Sequence, residues 1–148
     1  MSKKAIIFDI DHTVFAAEQT LHEGVADLLR ILHQLGFKLG ALSGNDHRAL
    51  VRLDEAGIKH LFESVLCSDQ LANSKAVHGV QHILRELGVE PSEATLVSHA
   101  YSDILLGQEA GLAKVIGVSH GTGNAKPLKR AGAHRVVEDI PAVLDVLE

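Results

Sequence analysis

The stretch Lys4-Ala5-Ile6-Ile7-Phe8-Asp9-Ile10-Asp11-His12-Thr13-Val14 sets the architecture of the chain. Residues 5–10 form a short apolar run interrupted only by Asp9, the pattern of a strand buried on both faces of a parallel sheet. Two carboxylates, Asp9 and Asp11, stand two positions apart at its exit, and a regular continuation of the strand would turn both to one face. An acidic couple in a central, otherwise apolar strand is costly unless a bound cation or a phosphate-handling site compensates it. The run is also too short and too acidic for a signal peptide or a membrane span.

Outward from this stretch, further short apolar runs at 37–42, 64–67, 95–98 and 114–118, with a shorter sixth at 134–137, alternate with segments of helical period at 24–35, 46–56, 75–87, 103–110, 127–131 and 141–147. Several helical segments end at a glycine (Gly36, Gly57, Gly88, Gly111, Gly132), and all three prolines fall where an element begins. Regular alternation of this kind predicts an α/β fold, a doubly wound three-layer parallel sheet of five main strands with the first strand central, in one domain covering residues 1–148. In such a sheet ligands bind beyond the carboxyl ends of the strands. The polar residues directly after the five main runs are Asp9 and Asp11, then Ser43, Gly44 and Asn45, then Asp69, then His99 and Asp103, then residues 119–124.

Composition removes other classes. With 148 residues, 46% of them apolar, the chain holds one core and is too short for two ordinary domains. Four Phe, one Tyr and no Trp leave no stacking platform for single-stranded nucleic acid, and a net charge of −5 gives no positive field for a polyanion or an anionic membrane. The expectation is no nucleic acid and no membrane partner. The single cysteine, Cys67, excludes an internal disulfide and a Cys-based zinc site, reads as a buried packing residue, and fits a cytoplasmic setting.

Asp9-Ile10-Asp11-His12-Thr13-Val14 resembles the D-x-D-x-T-[LV] signature of the haloacid dehalogenase (HAD) superfamily, whose members are mostly Mg²⁺-dependent phosphohydrolases with a Rossmannoid core. The resemblance implies that Asp9 is the nucleophile, forming an aspartyl-phosphate, and that Asp11 is the general acid/base. The chemistry agrees, since a leaving alkoxide needs a nearby proton and the attacked phosphoryl group needs its charge neutralised. Ala41-Leu42-Ser43-Gly44-Asn45 is similar to the superfamily's second motif, a hydroxyl followed by backbone N–H groups that cradle an anion, and Lys75 is similar to the third-motif lysine. Ser43, Gly44, Asn45 and Lys75 are thereby implied to bind phosphate. A plain N-cap role for Ser43 and Asn45 and an exposed helix-end position for Lys75 are the ordinary alternatives. The resemblance runs through residues 4–147 and extends to the glycine-rich segments of phosphoglycolate-phosphatase-like members, including Gly121 and Gly123.

The fourth motif departs from the pattern. Ser98-His99-Ala100-Tyr101-Ser102-Asp103 keeps the second acid, Asp103, but puts His99 where relatives carry an acid that ligates Mg²⁺ directly. Mg²⁺ prefers hard oxygen donors over imidazole. Three outcomes follow: weakened Mg²⁺ binding through Asp9, the Asp11 backbone carbonyl and Asp103; a site retuned to another divalent ion with His99 as ligand; or a catalytically impaired relative acting as a phosphate-binding or protein-interaction module. His78 and His82 lie opposite the apolar face of their helix and read as solvent-facing, and the other histidines besides His99 stay unassigned or on the surface. Each gap between the first three motifs holds one helix, one strand and their loops, so no cap domain is inserted there. Lidless relatives act on large substrates that cover the site or form oligomers; the expected partner is a phosphorylated small molecule or a larger phosphorylated substrate, with homo-oligomerisation as the other route to closure.

Overall fold

Ala5–Asp9 (β1) is buried along its whole length, and its side chains split by parity: Ile6 and Phe8 enter one core, Ala5 and Ile7 the other. That period of two on a strand apolar up to its final Asp9 requires cover on both faces. The computed structural model describes residues 4–16, 20–44, 46–67, 77–120 and 124–147. Around β1 stand Lys38–Leu42 (β2), Ser64–Leu66 (β3), Ala94–Ser98 (β4), Lys114–Val118 (β5) and Arg135–Val137 (β6), all parallel, in the order β3-β2-β1-β4-β5-β6. The expected sixth strand is present, short and half exposed at the sheet edge.

Val25–Gln34 (α1) and Arg48–Glu55 (α2) cover one face, their Leu28, Leu29, Leu32 and Leu53 packing on Phe8 and Val97. Val77–Leu87 (α3), Tyr101–Glu109 (α4) and Ala125–Arg130 (α5) cover the other, with Ile83, Leu87, Ile104 and Leu128 against Ile7, Leu96 and Val115. The expected start of α3 at Lys75 lies outside the described residues. The last segment, Pro141–Val146, is a 3-10 helix. The glycines that close α1, α2, α3, α4 and α5 all take positive φ, as a left-handed helix stop requires. Within α4, Gly107 has a different function: a Cβ there would stand 2.7 Å from Val115 Cγ2, so the missing side chain lets the helix lie close on β5.

β2 lies on one side of β1 and β4 on the other, so consecutive connections depart in opposite directions from the centre of the sheet. The carboxyl ends of β1 and β4 border the crevice this reversal opens.

Candidate active site

The strand does not continue regularly past Asp9. Ile10 N–H still bonds to Leu42 O at 3.1 Å, and then Val14 and Phe15 N–H both return to Ile10 O at 3.1 and 3.2 Å. His12 sits in the left-handed region (φ 63) inside this turn, and Asp11 bridges to Phe15, which bridges in turn to Leu21. Asp9 and Asp11 are therefore brought to one cavity by a tight turn rather than by strand parity. The cavity, of about 320 Å³, is lined by Asp9, Asp11, His12, Gly44, His99, Ala100, Ser102 and Asp103.

Two hydroxyls organise the acids. Thr13 Oγ1 donates to Asp9 Oδ2 (2.9 Å) and accepts from the His99 main-chain N–H (3.0 Å). Ser98 Oγ donates to Asp103 Oδ2 (2.8 Å), lies 3.3 Å from Asp9 Oδ2, and accepts from Ala100 N–H (3.0 Å). Successive main-chain N–H groups at the exit of β4 thus hold two hydroxyls, each passing its proton to a buried carboxylate. Asp9 and Asp103 are 1% and 3% exposed, and charges so deep need such donors. Asp103 also lies in the first turn of α4, where the helix dipole favours an anion.

His99 Nδ1 is 2.9 Å from Thr13 Oγ1 and 3.3 Å from Asp9 Oδ2. Since the Thr13 proton is committed to Asp9, the Nδ1 contact is satisfied when Nδ1 carries a hydrogen, which leaves Nε2 as the acceptor of the neutral ring. Ser43, fully buried, donates its hydroxyl to Asp11 Oδ2 at 2.9 Å, and Arg52 Nη2 approaches Asp11 Oδ1 at 3.4 Å. Gly44 lines the cavity, whereas Asn45 and Lys75, together with Asp69, Gly121 and Gly123, lie outside the described residues. Just before α2, the Asp46 carboxylate accepts from Arg48 N–H (3.0 Å) and Nε (2.9 Å) and is held down at about 2 by that partner.

The other histidines carried no assignment from the sequence beyond a surface position, and the structure gives three of them neighbours. His12 lines the cavity, with its ring 5.5 Å from that of His99. His120, also left-handed (φ 53), stacks on His22 at 3.7 Å and 11°. Burial, then the neighbouring His22, pushes the His120 imidazole down to about 4. No periodicity announces these contacts, because all four rings sit in loops at the same end of the sheet. Thr13, Ser98 and Arg52 were likewise not singled out; Thr13 and Ser98 flank named motif residues, while Arg52 gives no sequence signal. His78 is exposed, as expected, and His82, partly exposed, pairs with Glu86 at 3.3 Å. Cys67 is buried.

Among the described residues no group of three or more His, Cys, Asp or Glu side chains is set closely enough to hold a metal ion alone. The donor chemistry nonetheless fits Mg²⁺, which is ordinarily held by one or two carboxylates together with water and substrate phosphate oxygens. Asp9 and Asp103, joined through Ser98, supply such a pair.

A six-stranded parallel sheet reversing direction at β1, with acids at the exits of β1 and β4 around one crevice, places the chain among doubly wound α/β proteins whose site is carried by strand-end carboxylates. A family model described as haloacid dehalogenase-like hydrolase matches residues 3–111. The chain belongs to that family. It is 38% identical over 102 residues to pyrophosphatase PpaX of Bacillus pumilus, covering 68% of this chain and 47% of that one. It is 24% identical over 144 residues to phosphoglycolate phosphatase of Psychrobacter arcticus, covering 96% and 62%. The chain therefore spans about half to three-fifths of the length of these curated relatives. A haloacid dehalogenase-like hydrolase from Streptococcus pneumoniae superimposes with a TM-score of 0.84 over 99% of both chains at 14% identity, a likeness of fold.

Proposed function

We propose that the chain is a metal-dependent phosphohydrolase that cleaves a phosphate monoester through an aspartyl-phosphate on Asp9. The observation that carries this reading is the Asp9 carboxylate itself, buried at the switch point, hydrogen-bonded by Thr13 and 3.3 Å from Ser98 Oγ, beside Asp11 and Asp103. A carboxylate oxygen of Asp9 attacks phosphorus, the bond to the leaving oxygen breaks, and protonated Asp11 gives that oxygen its proton. Asp11 then takes a proton from water, which attacks phosphorus and releases phosphate and the free Asp9 carboxylate. Asp9, the Asp11 main-chain carbonyl and Asp103 would hold Mg²⁺, with His99 Nε2 as the ligand that admits another divalent ion instead; the ion would supply charge neutralisation at the phosphoryl oxygens. Ser43, Gly44, Asn45 and Lys75 are assigned to the phosphate. The relatives' names, a pyrophosphatase and a phosphoglycolate phosphatase, support small phosphorylated substrates.

No helix among the described residues is long and apolar enough to cross a membrane, and the reading assigns a cytoplasmic setting and no nucleic-acid partner. With no domain inserted between the first three motifs, closure falls to the substrate or to a second subunit.

His99 supports one rival, a non-catalytic phosphate-binding or interaction module. Turnover of a generic phosphate ester is to be measured across Mg²⁺, Mn²⁺, Co²⁺ and Ni²⁺ in the wild type, Asp9→Asn and His99→Asp. The expected result is metal-dependent turnover that Asp9→Asn abolishes and a higher Mg²⁺-dependent rate in His99→Asp. No turnover with any ion, in either the wild type or His99→Asp, sinks the hydrolase reading and favours the rival.

A further inference from the structure

Beside the crevice lies a second cavity of about 350 Å³, lined by Phe15, Thr20, Leu21, Arg52, Glu55 and Ala56. Arg52 joins the two: its Nη2 lies 3.4 Å from Asp11 Oδ1, and the side chain borders the second cavity. The Arg52 side chain is 23% exposed, and its Nε is buried without a hydrogen-bond partner. Five donors, one of them engaged at long range, are a poor bargain for a half-buried cation unless another acceptor arrives.

The reaction geometry says where that acceptor comes from. The leaving oxygen lies opposite the attacking Asp9 oxygen and must meet Asp11 to receive its proton, so the leaving group emerges on the Asp11 side of the phosphorus. Past Asp11 on that side is Arg52. We propose that this groove is the leaving-group subsite and that Arg52 is its specificity-determining residue, pairing with an anionic oxygen group, a carboxylate or a second phosphate, on a short leaving group whose carbon body rests on Phe15 and Leu21. Glu55, on the same wall, disfavours a body carrying further negative charge. The proposal rests on the phosphohydrolase reading above, and in a chain without an inserted cap it gives the core itself a means of choosing substrates.

The test compares phosphoglycolate, whose leaving group carries a carboxylate, with ethyl phosphate, which has the same carbon count and no second charge. In wild type, kcat/KM for phosphoglycolate exceeds that for ethyl phosphate by about 10- to 100-fold, the range of a charge-assisted hydrogen bond. Arg52→Met brings the ratio to about one, and Arg52→Lys restores part of it, whatever loss of rate both substrates share through Asp11. Thermal melts of both variants report folding separately. A wild-type ratio near one, or a ratio that survives Arg52→Met, overturns the proposal. Should wild type turn over a generic ester but neither of these compounds, the leaving-group proposal falls; should it turn over no ester with any of the four ions, in wild type or in His99→Asp, the phosphohydrolase reading fails and the proposal with it.

Discussion

At the residue scale the site is a problem in placing few protons on many acceptors. Thr13 has one hydroxyl hydrogen, gives it to Asp9, and takes the His99 main-chain N–H in return. Thr13→Val keeps the shape and removes the hydroxyl's contacts with Asp9, the His99 main-chain N–H and His99 Nδ1. The expected cost is about 1–3 kcal/mol of stability, read from urea unfolding midpoints, because orphaned buried groups pay their full desolvation. An unchanged midpoint would mean that water or a rotated His99 replaces the hydroxyl. The motif spelled Thr13 beside Asp9 in the sequence, but the reason for a threonine there is the partner it meets 86 positions later.

At the scale of elements, the alternation of apolar runs and amphipathic segments places the strands and helices because each length and period admits one burial pattern. Boundaries moved where local chemistry overrode pattern. β1 stops at Asp9 rather than Ile10 because the next residues turn back on the Ile10 carbonyl, and α4 starts at Tyr101, two residues before the expected Asp103. The approach of α4 to β5 depends on Gly107. In Gly107→Ala the new Cβ falls 2.7 Å from Val115 Cγ2 and 3.2 Å from Leu96 Cδ2, which outweighs the helix propensity gained. A net loss of about 1–2 kcal/mol is expected, near the low end for overpacking, with a lowered thermal midpoint as the measurement. A variant as stable as wild type would show that α4 can slide outward without loss.

At the scale of the whole molecule, the loops after β1 and β5 meet through stacked His22 and His120, next to the cavity lined by Glu138 and Asp139. His120 is pushed to about 4 in the folded protein against an ordinary 6.5, so the unfolded chain takes up that proton first as pH falls. The stability it carries is complete above about 6.5 and drains away as pH falls toward 4. His120→Asn, whose short amide tolerates the left-handed backbone, should flatten the fall in unfolding midpoint between neutral and mildly acidic buffer even where it lowers the midpoint overall. An equally steep fall in the variant would assign the acid sensitivity to the buried carboxylates.

Periodicity and motif order were enough for the class of fold and the central strand, and they placed Asp9, Asp11, Ser43, Gly44, His99 and Asp103 at strand ends, because apolar burial and strand exits are written in short stretches of chain. Tertiary structure alone decided how those residues are wired. Ser43 reaches across to Asp11, Ser98 links Asp9 to Asp103, and Arg52 on α2 meets Asp11. His12, His22, His99 and His120 gather at one end of the sheet. Each of these pairings joins separate loops or elements. A hydrogen bond depends on separations of a few tenths of an ångström, and only the packed sheet fixes those.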